Sequence, residues 1–213
     1  MLRLEYGKDT LPYDNAALAI GVFDGVHLAH RELILTTVRN ARAMGIAAGI
    51  FTFSGGIKST SPRIYTDEEK IDILDSLGID FVITAHFSDI AGKSADEFCI
   101  DVLHGELGIS LVVVGYNFKF GKGRTGTSDS MKNALEAVGT RTIIVPEMTL
   151  EGDVVSSTRI RSLISDGKMP EATRLLGAPY FVSGTVEHGI GKGKDALGFP
   201  TVNVALKEGG VML

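Results

Sequence analysis

Short apolar runs rich in β-branched residues alternate along this chain with segments that repeat apolar residues at helical spacing. Buried strands are predicted at 17–23, 46–53, 81–87, 110–116 and 141–147, and helices at 28–44, 66–78, 94–108 and 128–138. Near-continuous apolar strands separated by amphipathic helices are typical of a parallel sheet covered on both faces. The sequence therefore predicts an α/β fold with a doubly wound parallel sheet.

Three glycine-rich or charged segments follow strands of this sheet. They are "GVFDGVHLAH" (21–30), "GYNFKFGKGRTG" (115–126) and "EGDVVSSTRIRS" (151–162). In open α/β sheets, ligands bind beyond the carboxyl ends of the strands, at a topological switch point. We therefore expect the three segments to meet at one edge of the sheet and to form the ligand site.

The charge balance favours a small anionic ligand. The 213 residues carry a net charge of −5, which gives no basic footprint for nucleic acid. Lysine and arginine cluster locally in "KFGKGR" (119–124) and "STRIRS" (157–162), although solvated loop charges would explain either cluster alone.

The single cysteine, Cys99, excludes an intramolecular disulfide and is expected in the core of a helix. The sequence shows neither a signal-peptide pattern nor an apolar run of membrane-spanning length. We expect a cytoplasmic protein that does not bind membranes.

The segment at 21–30 places two histidines at the start of a helix. His27 and His30 are three residues apart, beside Gly21 and Gly25, in a turn that follows a strand. Free N–H groups and the positive end of the helix dipole attract an anion to such a turn. Both imidazoles could donate hydrogen bonds to phosphate oxygens. The alternatives are packed core imidazoles or zinc ligands, but no further Cys or His lies nearby at ligand spacing.

The other two segments offer groups for a nucleotide and a flat ring. Ser156, Ser157 and Thr158 precede a short helix, where hydroxyls and N–H groups can hold polyphosphate, and Arg159 and Arg161 add charge. An ordinary helix cap with surface arginines is the alternative.

In "NFKF", Phe118 and Phe120 could stack on a ring and Asn117 could hydrogen-bond to it. Aromatic residues in such a sequence are, however, more often part of the core.

Taken in order, these motifs resemble those of nucleotidylyl transferases of the histidine-x-x-histidine type. More narrowly, they resemble bacterial bifunctional riboflavin kinase/FMN adenylyltransferases, also called FAD synthetases. "GYNFKFGKGRTG" is similar to that family's "GxDFxFGxxRxG" loop, and "SSTRIR" (156–161) is similar to its "SSTxIR" motif. "LLGAPYFVSGTVEHGIGKGKDALGFPTVN" (175–203) is similar to the start of its kinase module.

The resemblance implies that FMN and MgATP give FAD and pyrophosphate on a Rossmann-like domain at 1–168. His27, His30 and Arg161 would act at the reacting phosphates, and no residue is assigned as a metal ligand. Substrates would be bound by Gly21, Phe23, Asp24, Gly25, Asn117, Phe118, Phe120, Arg124, Ser156, Ser157, Thr158, Arg159, Thr201 and Asn203. For Asp24, a turn-stabilising role is as plausible as a contact with substrate or metal.

The second module, at 169–213, consists of a connecting helix and an incomplete kinase-like β domain. Thr201 and Asn203 match residues that the family's kinase uses for Mg²⁺ and ATP phosphates. About 36 residues follow Gly177, too few for an independent barrel core. The segment therefore either continues in a longer chain or packs on the first domain, and we expect no complete kinase here.

The sequence departs from the family pattern at three places. Ala29 stands where the family has glycine, Asn117 replaces an aspartate, and "FTFSGGIKS" (51–59) replaces a proline-histidine-proline segment. These departures and the incomplete kinase motivate one rival function, a weakened flavin- or nucleotide-binding protein. A second rival is a nucleotidylyl transferase for another phosphate acceptor, against which the "NFKFGKGR" loop (117–124) and the kinase-like tail argue. The sequence gives no indication of oligomeric state.

Overall fold

The computed structural model describes residues 1–54, 62–187 and 203–206. Its strands are β1 (Leu2–Glu5), β2 (Ala16–Ile20), β3 (Ala47–Ser54), β4 (Phe81–His86), β5 (Ile109–Gly115), β6 (Lys119–Phe120), β7 (Gly126–Thr127), β8 (Arg141–Val145), β9 (Thr149–Leu150), β10 (Asp153–Val154), β11 (Gly184–Glu187) and β12 (Asn203–Leu206). Its α-helices are α1 (Leu28–Met44), α2 (Asp67–Ser76), α3 (Phe87–Ile90), α4 (Ser128–Ala137), α5 (Ser157–Ser165) and α6 (Met169–Leu176). A π-helical segment spans Glu97–Glu106, and a 3₁₀ turn spans Lys122–Arg124.

A six-stranded sheet in the order β1-β4-β3-β2-β5-β8 forms the centre of the molecule. All five neighbouring pairs are parallel, which confirms the predicted α/β fold. The chain moves from β2 to β3 on one side, and β5 lies on the other side of β2. This reversal of direction places the switch point at the carboxyl end of β2.

Helices cover both faces of the sheet. Alternate residues of β2 point to opposite faces: Ala17 and Ala19 join one apolar cluster, whereas Leu18 and Ile20 join the other. Helices α1, α2, α5 and α6 contribute to the first cluster, and the π-helical segment and α4 contribute to the second. Within the described ranges, no helix is both long and apolar enough to cross a membrane.

Several predicted elements differ from the observed ones. The edge strand β1 was not predicted, because its four residues are mostly exposed or partly exposed and it pairs with β4, almost 80 residues away. The helix predicted at 94–108 is the π-helical segment, where Cys99 is buried as expected. Burial raises the pKa of the Cys99 thiol to about 12.

Beyond α6 the chain changes to antiparallel structure, as predicted for the start of a β-rich unit. Strands β11 and β12 pair from Gly184 with Leu206 to Glu187 with Asn203. Two further short hairpins, β6 with β7 and β9 with β10, lie in the segments that follow β5 and β8.

Candidate active site

The turn after β2 occupies the switch point of the sheet. The strand predicted at 17–23 ends at Ile20, and the Gly21 N–H still donates to the Phe51 carbonyl. Phe23 and Val26 then adopt positive φ values of 54° and 38°, which side chains of this size rarely do. The resulting tight turn ends at His27, which caps the N-terminus of α1.

The two histidines are stacked on each other. Their ring centroids lie 3.6 Å apart with planes 14° from parallel, and Phe23 contacts His30 edge-on at 5.4 Å. His27 Nδ1 accepts a hydrogen bond from the His30 backbone N–H at 3.4 Å. An accepting Nδ1 requires the neutral ring to carry its proton on Nε2, so His27 presents an Nε2–H donor.

Both imidazoles are held in their neutral form. His27 is 4% exposed, and burial lowers its pKa to about 4. Burial also lowers the pKa of His30 well below its ordinary value, and the adjacent His27 adds to the effect. His30 Nδ1 is buried and has no hydrogen-bond partner among the described residues. The pair therefore offers neutral polar groups where an anionic ligand is expected.

Asp24 joins the histidine turn to two distant segments. Its Oδ1 accepts from the Ile64 N–H at 2.9 Å, and its Oδ2 accepts from Arg161 Nη1 at 2.5 Å. Its backbone carbonyl accepts from Ser157 Oγ at 2.8 Å. Asp24 is thus a turn-stabilising acceptor, one of the two roles that the sequence allowed.

Glycine is required at position 25 by conformation and by space. Gly25 has a φ of +84°, and a Cβ atom there would lie 2.7 Å from Ile64 Cδ1. The turn is therefore packed directly against the segment that precedes α2.

The motif at 156–161 begins α5 beside this turn. Ser156 is the N-cap and accepts from the Arg159 N–H at 3.3 Å. Its side chain therefore has the helix-capping role that the sequence left open as an alternative to polyphosphate binding. Arg159 Nη2 pairs with Asp153 at 2.6 Å, while Arg161 Nη2 lies 3.4 Å from Thr158 Oγ1. Two helix N-termini, those of α1 and α5, are thereby joined through Asp24.

The hairpin after β5 forms one wall of an apolar pocket of about 370 Å³. The lining includes Val22 of the histidine turn, and it also includes Phe53, Phe87, Phe98, Phe118, Phe120 and Arg124. Phe118 and Phe120 are nearly parallel, with centroids 5.7 Å apart. Phe120 is only 7% exposed and packs on Phe98, so it belongs to the core as well as to the pocket.

The remaining residues singled out from the sequence lie in different places. Asn117 is exposed and is not among the residues that line the pocket. Asn203 is the exposed first residue of β12, opposite Glu187. Thr201 lies outside the described residues, as does most of the segment that replaces the proline-histidine-proline motif.

Ala29 lies in the first turn of α1 and packs on the core, so the fold accommodates its methyl group where the family has glycine.

Sequence reasoning missed several residues of the site. Val22, Phe53 and Phe87 line the pocket and lie at or just beyond the carboxyl ends of β2, β3 and β4. Their position at the carboxyl edge of the predicted sheet could have identified them as residues near the ligand. By contrast, the Ile64 N–H that holds Asp24 is a backbone group 40 residues away, and no side-chain pattern marks it.

Comparison with known proteins yields matches to one family of enzymes. A family model described as FAD synthetase matches residues 11–159, and one described as riboflavin kinase matches residues 176–212. The bifunctional riboflavin kinase/FMN adenylyltransferase of Bacillus subtilis is 32% identical over 91% of this chain and 63% of its own length. The enzyme of the same name from Escherichia coli K12 is 31% identical over 98% of this chain and 68% of its own.

A solved structure has the same fold. The crystal structure of the macrolide-efflux protein from Streptococcus pneumoniae superposes with a TM-score of 0.85 at 28% identity, covering 100% of this chain and 71% of that one. This chain spans less than two thirds of the Bacillus subtilis relative. The family match extends over most of the chain. The chain therefore belongs to the FAD synthetase family.

Proposed function

We propose that the chain transfers the adenylyl group of ATP to FMN, giving FAD and pyrophosphate. The observation that carries the proposal is the neutral histidine pair at the N-terminus of α1, joined through Asp24 to the N-terminus of α5. Val22 places the apolar pocket directly beside this polar site. A polyphosphate and a flat ring system could therefore be held next to each other.

The reaction needs no protein nucleophile. A phosphate oxygen of FMN attacks the α-phosphorus of ATP and forms the new P–O bond. The bond from that phosphorus to the bridging oxygen of the β-phosphate breaks, and its electron pair leaves with pyrophosphate. Positioning and electrostatic stabilisation are then the contributions required of the protein.

In this proposal the histidines stabilise charge at the reacting phosphorus. His27 donates from Nε2–H, because its Nδ1 accepts from the His30 N–H. The dipole and the free N–H groups at the start of α1 add to the attraction for phosphate. Gly21, Phe23 and Gly25 contribute by giving the turn its shape.

The departing pyrophosphate would lie at the start of α5. Ser157 donates its O–H to the Asp24 carbonyl, whereas Ser156 and Thr158 accept through their hydroxyl oxygens and keep their O–H donors. These two hydroxyls and the backbone N–H groups remain for phosphate oxygens. Asp24 and Thr158 occupy two of the five N–H donors of Arg161. Arg161 is thus oriented in advance and can still form a charge-assisted bond. Arg159, with Nη1 buried and without a partner in the described ranges, is the second candidate.

The apolar pocket would hold the isoalloxazine ring. Phe118 is the more accessible of the two stacked phenyl rings, so it would contact the flavin, with Phe120 supporting it from the core. Arg124 lines the same pocket on the exposed hairpin. A hydrogen bond from Asn117 to the ring edge stays a prediction, since Asn117 does not line the pocket.

Magnesium would enter with ATP. The described residues contain no group of three or more His, Cys, Asp or Glu side chains able to hold a metal ion. In nucleotide sites Mg²⁺ keeps several waters and is bound largely by substrate phosphates. When bound, the ion would neutralise phosphate charge, and Asp24 would remain engaged with Arg161.

For the second module we propose that Thr201 and Asn203 belong to a site for riboflavin phosphorylation. Thr201 and Asn203 would serve the phosphates and Mg²⁺ of a second ATP, in line with the partial riboflavin kinase match. A cytoplasmic location and the absence of nucleic-acid binding stay predictions.

Incubation of the pure chain with FMN, ATP and Mg²⁺ tests the proposal, with FAD and pyrophosphate measured separately. Parallel reactions with CTP, phosphopantetheine and nicotinamide mononucleotide test the rival transferases. Equimolar FAD and pyrophosphate are expected with FMN and ATP. Tight FMN binding without pyrophosphate release would instead identify a binding protein.

A further inference from the structure

The peptide at 176–183, which connects α6 to β11 and is named the linker here, contacts the first turn of α1. Arg31 Nε donates to the Leu176 carbonyl at 3.0 Å. Gly177 ends α6 with a φ of +72°, and a Cβ atom there would lie 2.6 Å from Leu28 Cδ2. Since Leu28 follows His27 directly, the linker packs against the helix that carries the histidines.

The linker also contacts the segment at 64–69, which leads into α2. Tyr65 stacks on Tyr180 at 5.7 Å and on Phe181 at 5.0 Å. Glu69 Oε1 accepts from the Ser183 N–H at 2.5 Å, while its Oε2 accepts from the Thr66 N–H at 2.8 Å. One buried carboxylate, 5% exposed, therefore caps α2 and holds the linker.

Glu69 holds both bonds as a charged group. Burial alone would raise its pKa, but the N–H groups of Thr66 and Ser183 outweigh burial and keep the pKa below its ordinary value. A carboxylate that accepts two backbone N–H bonds fixes both backbone segments relative to each other.

The segment at 64–69 reaches the histidine turn at its other end. Ile64 donates its N–H to Asp24 and packs its side chain on Gly25. Tyr65, which stacks on the linker, is the next residue. A movement of the linker that displaces Tyr65 would therefore displace Ile64 and the turn that Ile64 contacts, because the two residues share a peptide bond. Arg31 provides a second connection between the linker and α1.

We propose that the linker is a positioning element of the histidine turn and that Glu69 is its positioning residue, acting through Ile64 and Asp24. The kinetic part of this inference rests on the proposed adenylyl transfer. Because β11 begins at Gly184, directly after the Glu69-bound Ser183, the second module is connected to the first site through this contact.

A comparison within the chain separates positioning from helix capping. Glu97 caps the π-helical segment as Glu69 caps α2, since it accepts from the Ser94 N–H at 2.6 Å. In the described structure Glu97 makes no linker contact. Glu97→Gln is therefore a matched control for Glu69→Gln, because glutamine keeps one acceptor oxygen and loses the other. Phe181→Ala is a second test, since this ring is 41% exposed and its loss leaves the core intact.

The experiment measures kcat and the KM for ATP and FMN, the melting temperature, and the imidazole ¹⁵N resonances of each variant. Misplacement of a reacting group lowers turnover more than binding, so we expect kcat to fall about tenfold in Glu69→Gln and about threefold in Phe181→Ala, with KM for ATP within about twofold. Glu97→Gln should keep the wild-type kcat. The His27 and His30 resonances should shift in the first two variants, while those of His86 and His104 stay unchanged.

Wild-type kcat and unshifted His27 and His30 resonances in Phe181→Ala and Glu69→Gln would overturn the inference. An equal fall of kcat in Glu97→Gln would also overturn it, because the effect would then be one of capping in general. If the wild-type chain forms no FAD, the proposed function fails, and the histidine resonances alone decide whether the linker positions the turn.

Discussion

Replacement of Arg161 by alanine should affect stability and turnover through two separate interactions. Asp24 and Arg161 form an ion pair at 2.5 Å in which both side chains are only 19% exposed. Removal of the arginine leaves a partly buried carboxylate with the Ile64 N–H as its remaining described partner. Loss of one partner of such a pair costs about 1–3 kcal/mol of unfolding free energy, and the remaining exposure favours the lower half of that range.

Comparison with Arg159→Ala distinguishes the contributions of the two arginines to stability and to turnover. Arg159 pairs with Asp153, whose side chain is 63% exposed, so this pair should contribute less than about 1 kcal/mol. If Arg161 contacts pyrophosphate mainly in the transition state, Arg161→Ala should lose turnover and keep most of its ATP affinity. Urea unfolding, kcat and the dissociation constant for ATP, measured for both variants, check the reasoning.

A double-mutant cycle isolates the ion pair. Asp24→Asn keeps an acceptor for the Ile64 N–H and removes the charge, so the losses in Asp24→Asn/Arg161→Ala should not add, with a coupling of about 1 kcal/mol. Additive losses would show that the pair does not join the turn to α5. Unchanged turnover in both arginine variants would reduce the motif at 156–161 to a helix cap.

Four further predictions concern the histidines, the pocket and the second module. Alanine at His27 or His30 should slow FAD formation on the order of 10²- to 10³-fold, and wild-type rates in both would remove them from the mechanism. His27→Ala should also destabilise the fold by about 0.5–2 kcal/mol, because the buried His27 side chain caps α1. The pKa of His27 is about 4 in the folded state and about 6.5 in the unfolded state, so between these values the unfolded state binds more protons. Stability should therefore fall as pH decreases from 6.5 to 4, and the melting temperature of His27→Gln should depend less on pH over this range. Phe118→Ala should raise KM for FMN about tenfold and leave KM for ATP unchanged, since stacking of a ring on an aromatic side chain is worth roughly 1–3 kcal/mol. The 213-residue chain should form no FMN from riboflavin and ATP. Detection of FMN by chromatography would show that the second module is sufficient for catalysis.

Local features of the sequence determined most of the sheet and the approximate site. The five predicted strands are apolar over nearly their whole length because both faces of the sheet are covered, and this pattern is visible without coordinates. Helix ends were equally readable: Thr66 caps α2 through its own side chain, and Gly45 ends α1 in a left-handed conformation. Once the strands were known, the rule for carboxyl edges brought the three motifs together.

Contacts between distant residues were decided by tertiary structure alone. The bond between Asp24 and Arg161 joins residues 137 positions apart, and Glu69 binds Ser183 across 114 positions. Burial is the largest cause of the low pKa values of the two histidines, and it depends on how α1 packs. Their spacing adds only the smaller effect of His27 on His30. Sequence patterns record the environment of each element along the chain. The partner of a single carboxylate is set by the packing of several elements at once, so no local pattern specifies it.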